Sequence, residues 1–266
     1  MHDAIPLLED LIRIARKAGL AIMDVYEGDK AAWQKEDGSP LTTADLRADE
    51  IIRCELEKLC PGIFILSEES VSENGGSGEA FFLVDPLDGT KEFLKRNGEF
   101  TVNIALIVGG ALSASVVDAP ALGETFFAAK GRGSWRSFGD KPTKLSCVPP
   151  PAVLRVIGSR SHGDERLQRW LSSLAIPFQM DSAGSSLKFC RIAEGRADVY
   201  PRFGPTSQWD TAAAQLVLEE AGGYVVDFSG TRLAYGLDRP ILNPAFLASG
   251  FELGYPFLGL EHLEGC

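Results

Sequence analysis

The chain has 266 residues, with 37 acidic against 26 basic side chains and a formal net charge of −11. A hydrophobic fraction of 45% and a charged fraction of 24% are ordinary for a globular protein and exclude whole-chain disorder. The acidic balance excludes a coat for nucleic acid polymers, which needs a basic face to displace counterions, and no apolar run approaches the roughly 20 residues of a transmembrane segment.

Apolar side chains from Leu7 to Met23 recur near a 3.6-residue period, which predicts an amphipathic helix over about 4–26. The N-terminus shows no basic region followed by an apolar one, so no signal peptide is expected. The polar stretch from Gly28 to Pro40 reads as a surface loop. A second helix is expected from Thr43 to Leu59, capped by Thr42 or Thr43 and ended by Pro61-Gly62. The period then changes. Residues 63–66, 81–84, 102–108, 112–117 and 125–128 are short β-rich runs, several joined by tight turns, so this sheet should be largely antiparallel.

Pro149-Pro150-Pro151 marks a candidate boundary between an N-terminal α+β domain, 1–148, and a C-terminal α/β domain, 149–266. Beyond it strands (154–157, 177–180, 198–200, 223–227) alternate with helices (164–174, 186–194, 211–221), which favours an α/β layer. Five scattered cysteines, with no CxxC spacing, fit reduced thiols in a cytoplasmic protein. With only three histidines, any metal is expected on oxygen ligands.

Three acidic clusters lie at the ends of predicted strands or the start of a helix: Glu68-Glu69, Asp85-Pro86-Leu87-Asp88-Gly89-Thr90, and Asp210. Pro86 lacks an N–H and fixes its φ, so Asp85 and Asp88 can turn into one pocket with the Leu87 carbonyl between them as a further oxygen. Gly89-Thr90-Lys91 opens a short helix whose first N–H groups would seat a phosphate. Hard divalent cations take such oxygens, and two metals bridged by Asp85 would make a phosphoryl-transfer site. Taken singly, each cluster has a plainer reading. D-x-x-D is turn chemistry, Glu68-Glu69 a solvated strand end, and Asp45 and Asp210 helix caps.

The segment from Leu83 to Ile107, LVDPLDGTKEFLKRNGEFTVNIALI, resembles the signature of the inositol monophosphatase-like, lithium-sensitive phosphatase superfamily, and within it the 3'(2'),5'-bisphosphate nucleotidase branch. Similar matches occur at 40–45, 66–69, 159–162, 184–190, 242–244 and Tyr200 to Ala213, YPRFGPTSQWDTAA. The resemblance implies an αβαβα layered sandwich of the inositol monophosphatase and fructose-bisphosphatase type. It implies two to three Mg²⁺ ions: Glu68, Asp85 and the Leu87 carbonyl on the first, Asp85, Asp88 and Asp210 on the second, and a weaker third near Glu68. Thr90 and Asp45 would orient and deprotonate the attacking water, while the Gly89 and Thr90 backbone N–H groups take the scissile phosphate. His162, Ser185, Lys188 and Arg202 would contact the nucleotide.

The activity so implied is removal of the 3'-phosphate of adenosine 3',5'-bisphosphate to give AMP and phosphate, with the sulfated relative as a further substrate in sulfur assimilation. Inhibition by Li⁺ and Ca²⁺ goes with it. Inositol 1-phosphate and fructose 1,6-bisphosphate stay open as substrates, as does a non-catalytic phosphonucleotide-binding role. The partner expected is thus a small phosphorylated molecule, acting on a monomer or homodimer in the cytoplasm, with peripheral attachment to the inner membrane left open.

Overall fold

A stripe of Leu11, Ile14, Ala15, Ala18, Ile22 and Val25 is buried along the first helix, α1 (Ala4–Glu27), as the 3.6-residue period requires. The computed structural model describes residues 4–28, 32–34, 40–70, 78–139, 141–149, 151–159 and 165–252. The stretch expected to be loop contains a short antiparallel pair, β1 (Ala32–Gln34) and β2 (Pro40–Thr42). Its polar side chains carry no alternation that could signal strands. Helix α2 (Thr43–Leu59) follows at once, with Thr42 as N-cap.

The strands β3 (Phe64–Ser67), β4 (Ala80–Asp88), β5 (Thr101–Val108), β6 (Ala111–Ala119), β7 (Glu124–Ala129), β8 (Gly133–Phe138) and β9 (Lys141–Lys144) form one seven-stranded sheet in sequential order. Only the β3–β4 pair is parallel. Between β4 and β5 lies the short helix α3 (Thr90–Leu94). The strands β10 (Leu154–Gly158), β11 (Phe178–Ser182), β12 (Val199–Arg202), β13 (Tyr224–Asp227) and β14 (Phe246–Ser249) form a second, mixed sheet in the order β11-β10-β12-β14-β13. Helices α4 (Glu165–Ser173), α5 (Leu187–Ala193) and α6 (Gln208–Glu220) complete the chain.

Side chains alternate across each strand, and the alternation sets the layers. Phe82 and Val84 of β4 pack with α1 and α2, while Phe81 and Leu83 pack with α5 and α6. In the second sheet Tyr200, Phe246 and Ala248 face the α5/α6 layer, and Val199 and Leu247 face α4. The result is helices, sheet, helices, sheet, helix. The change of sheet falls between Lys144 and Leu154, yet the α5/α6 layer shares one apolar core with both sheets. Cys54, Cys60, Cys147 and Cys190 are free thiols, and no described helix is long and apolar enough to cross a membrane.

One buried acid away from the acidic clusters gives a stability test. Asp118 on β6 accepts the Thr125 hydroxyl at 2.7 Å, and burial pushes its pKa up to about 6 against the pull of Thr125 and Arg16. A carboxyl whose folded pKa is raised stabilises the fold below its unfolded pKa, near 4, and loses that contribution as pH rises through about 6. Asp118→Asn is expected to raise unfolding free energy at pH 7.5 by on the order of 2 kcal/mol relative to the parent. The gain should shrink to roughly a third at pH 4.5, as read by urea denaturation at both pH values.

Candidate active site

The site is assembled where β3, β4 and the starts of α2, α3 and α6 converge. Along β4 the pairing register with β5 slips between Asp85, opposite Asn103, and Asp88, opposite Thr101. Pro86 and Leu87 form the bulge, as expected of a proline that cannot donate to the ladder. The Leu87 side chain is buried with the α1/α2 core. Its N–H donates to Asp85 Oδ1 at 3.1 Å, and its carbonyl lies 3.4 Å from the Thr90 hydroxyl. Gly89 holds φ at 95°, and a Cβ there would come within 3.2 Å of the Glu99 carbonyl, so only glycine makes this turn without strain. Phe93, fully buried against Tyr26 and Phe100, anchors α3 below it.

Asp45 serves two ends at once. Its Oδ2 accepts the Thr42 N–H at 2.7 Å and the Thr42 hydroxyl at 2.5 Å, closing a capping box at the start of α2. Its Oδ1 lies 3.2 Å from the Thr90 hydroxyl. The cap therefore orients a buried carboxylate toward Thr90. Burial raises the Asp45 pKa, and the hydrogen bonds from Thr42 and Thr90 hold it back. One turn later Asp49 accepts the Ser67 hydroxyl at 2.5 Å, which ties α2 to the strand end that presents Glu68.

Asp210 is the third residue of α6 and not its cap. Ser207 caps the helix, and its N–H donates to Asp210 Oδ2 at 2.8 Å. The helix starts at Gln208, three residues before the expected Thr211, because Gln208 and Trp209 are buried and packed. Asn243, within the Leu242-Asn243-Pro244 motif, donates to the Ser207 carbonyl at 2.7 Å and secures this turn.

Carboxylate oxygens of Glu68, Asp85 and Asp210 all lie within 4.8 Å of one another. Asp85 is 1% exposed. Its pKa is raised well above the ordinary range by burial, then by Glu68, Asp88, Asp210 and Asp45. Burial followed by Asp88 pushes Asp210 up to about 8. Asp88 is also raised by burial, opposed by Lys188 and by hydrogen bonds from Ser186. Buried like charges this close are costly unless a cation compensates them. An all-oxygen donor set of this kind fits a hard divalent ion. Asp88, expected to join Asp85 and Asp210, turns one oxygen to Ser186 at 2.9 Å.

A cleft runs from Asp88, Gly89 and Asp210 past Lys91 and Glu92 to Ser159, Ser185, Lys188 and Arg202. Lys188 is buried and does not extend to solvent. Its Nζ donates to the carbonyls of Ser185 at 2.6 Å and Ala183 at 3.3 Å and sits 5.2 Å from the Tyr200 ring centre. Burial pushes its pKa down to about 8, against the pull of Asp88 and with Arg202 adding to the fall. The Arg202 guanidinium donates to the Gly204 and Pro205 carbonyls at 3.2 and 2.9 Å. Ser185 holds φ at 46°, an unusual left-handed backbone for serine. Its hydroxyl is buried with no partner among the described residues. His162 lies outside the described residues. Asn103 and Ser186, which hydrogen-bond Asp88, lie inside the matched segments 83–107 and 184–190 but were given no role there; an amide inside the apolar run of β5 was the available signal for the first.

The family model of the inositol monophosphatase family matches residues 4–251. The chain is 46% identical over 245 residues to the 3'(2'),5'-bisphosphate nucleotidase CysQ of Salmonella typhimurium, covering 90% of this chain and 98% of that protein. Among solved structures it is similar to CysQ from Bacteroides thetaiotaomicron, with a TM-score of 0.81, 35% identity, and coverage of 92% of this chain and 97% of the other. It is also similar to the extragenic suppressor protein suhB from Bartonella henselae, with a TM-score of 0.79, 27% identity, and coverage of 98% and 100%. End-to-end matches of this depth leave one assignment: the chain belongs to the inositol monophosphatase family.

Proposed function

We propose that the chain is a Mg²⁺-dependent phosphatase that removes the 3'-phosphate of adenosine 3',5'-bisphosphate, yielding AMP and phosphate. The observation that carries this reading is the division of charge along one cleft. Carboxylates crowd together at one end and a desolvated lysine lies near an arginine at the other. A bisphosphate with cations at its scissile end satisfies both. Glu68, Asp85 and the Leu87 carbonyl would hold one Mg²⁺, and Asp85, Asp88 and Asp210 a second, with a weaker third near Glu68. When bound, these ions would neutralise charge on the phosphoryl oxygens and acidify the attacking water.

The protein's own groups do the rest. Thr90 would accept the water's proton as it passes its own to Asp45, whose oxygen already stands at hydrogen-bond distance. Gly89 and Thr90 N–H groups would take the scissile phosphate. Ser185, Lys188, Arg202 and His162 would grip the phosphate that is not cut, the lysine as a point charge and the arginine as a fork. The space enclosed is about 120 Å³, below the roughly 300 Å³ of a pocket that engulfs a drug-sized ligand. The phosphates would thus be enclosed and much of the nucleoside left at the open side. Competition by Li⁺ and Ca²⁺ for these oxygens belongs to the same reading, as does a cytoplasmic place of work.

The test is phosphate release, with Mg²⁺, from adenosine 3',5'-bisphosphate, inositol 1-phosphate, fructose 1,6-bisphosphate and AMP. The bisphosphate nucleotide is expected to lead in kcat/KM by roughly tenfold or more, about 1.4 kcal/mol of transition-state preference. Lys188→Met should cut that lead by about 10–100-fold, the worth of a charge-assisted contact, while changing inositol 1-phosphate less than threefold. An inositol or sugar phosphate in the lead would overturn the nucleotide assignment. Equal losses on both substrates would reassign Lys188 to holding the Ala183–Ser185 turn.

A further inference from the structure

We propose that Asn103 and Ser186 are positioning residues that fix the Asp88 carboxylate and thereby set the affinity for the divalent ion held there; this rests on the metal-dependent reading above. Asn103 stands on β5 directly opposite Asp85 and is 1% exposed, an amide within an otherwise apolar run from Val102 to Val108. Its Nδ2 lies 2.8 Å from Ser186 Oγ and 3.4 Å from Asp88 Oδ2. Ser186, the buried residue before α5, places its hydroxyl 2.9 Å from Asp88 Oδ2 and 2.7 Å from the Asp210 carbonyl.

A hydroxyl has one proton and two lone pairs. Asn103 donates to the oxygen, which leaves the proton for Asp88 or for the Asp210 carbonyl. One buried oxygen thus joins an acidic strand end of the first sheet to the opening turn of α6. With donors fixed on Oδ2, the Asp88 carboxylate is held in one orientation. A ligand oriented beforehand binds a cation with less reorganisation.

The remaining atom of the amide argues that Asn103 is there for this network. The amide directs an N–H to Ser186 Oγ, with Asp88 Oδ2 as a longer flanking acceptor, while Oδ1 is buried with no partner among the described residues. An orphaned buried acceptor is destabilising, and Ala105 and Ile107, which share the face of Asn103 on β5, are apolar and fully buried. The position carries a stability cost that packing alone does not require.

The experiment is a calorimetric titration of the chelator-treated chain with Mn²⁺, alongside thermal melts in chelator. Ser186→Ala and Asn103→Val are each expected to weaken Mn²⁺ binding about 10–100-fold. Asn103→Val should melt no lower than the parent because it removes the orphan. Ser186→Thr, which keeps the hydroxyl, should bind within threefold of the parent. Ser115→Ala, which removes a fully buried hydroxyl that has no partner among the described residues, should leave binding unchanged. Binding within threefold in both Ser186→Ala and Asn103→Val overturns the inference, as does an equal loss in Ser115→Ala. An Asn103→Val protein that fails to fold assigns the amide to the core and overturns it too. A parent that binds no Mn²⁺ overturns the metal-dependent reading together with this one, whereas a parent that binds beside unaffected variants overturns only the positioning role.

Discussion

Asp85→Asn is expected to cut turnover steeply while making the chelator-treated protein more resistant to heat. Asp85 lies at the centre of the carboxylate group, buried, with Glu68, Asp88, Asp210 and Asp45 all raising its pKa. A raised folded pKa means a stabilising contribution that is complete below the unfolded value near 4 and lost as pH rises through the folded one. At neutral pH without a cation, holding these carboxyls protonated or ionising them therefore works against the fold. Asparagine removes one charge and keeps an oxygen to accept the Leu87 N–H. Each 1 kcal/mol gained would raise the melting temperature by roughly 2–4 °C in a chain of this size. The gain should be larger at pH 8 than at pH 5, since Asp210 titrates at about 8 beside it. Activity should fall on the order of 10³-fold, about 4 kcal/mol of lost transition-state stabilisation. Differential scanning calorimetry with and without Mg²⁺, beside a phosphate-release assay, checks both halves. A variant less stable than the parent in chelator would show that the cluster is compensated by something other than a cation.

Thr90→Ala is expected to lower kcat by about 10²–10⁴-fold with little change in Mg²⁺ dependence, the usual worth of a lost general-base path. The hydroxyl lies 3.2 Å from Asp45 Oδ1 and 3.4 Å from the Leu87 carbonyl. Thr90→Ser should restore most of the rate. Asp45→Asn separates the two tasks of that carboxylate. Asparagine still accepts the Thr42 N–H and keeps α2 capped, but it cannot take a proton. If Asp45 serves only the helix, Asp45→Asn will turn over like the parent, and circular dichroism will register no difference in either case.

The fold was most legible where periodicity was undiluted. Helices α1 and α2 were readable from spacing because each buries one face, and the strands β4 to β7 from their apolar runs because they pack against apolar layers on both sides. The strand β9, Lys141-Pro142-Thr143-Lys144, is exposed throughout and lies at the sheet edge. Charges and proline there suit an edge that must not pair further, and they erase the alternation that announces a strand. The strand β14 returns between β12 and β13 after a long irregular stretch, a pairing set by tertiary contacts and not by local pattern.

In the site, the same residues carried two readings that only geometry could reconcile. Asp45 is both cap and neighbour of Thr90, because its two oxygens face different partners. Lys188 on a seven-residue helix gave no way to choose between a stem reaching solvent and a buried amine; the helix is buried along most of its length, and the lysine with it. Asp88 looked like a simple companion of Asp85, yet it is held from the other sheet's side by Ser186. Contacts across 98 residues of chain leave no local trace.

The most direct test is phosphate release from adenosine 3',5'-bisphosphate by the chelator-treated protein as Mg²⁺ is added back. The predicted result is no turnover in chelator and a saturable return of activity with Mg²⁺, suppressed when Li⁺ is present. Turnover that persists in chelator, or a Mg²⁺-loaded protein that leaves the nucleotide intact, would contradict the account.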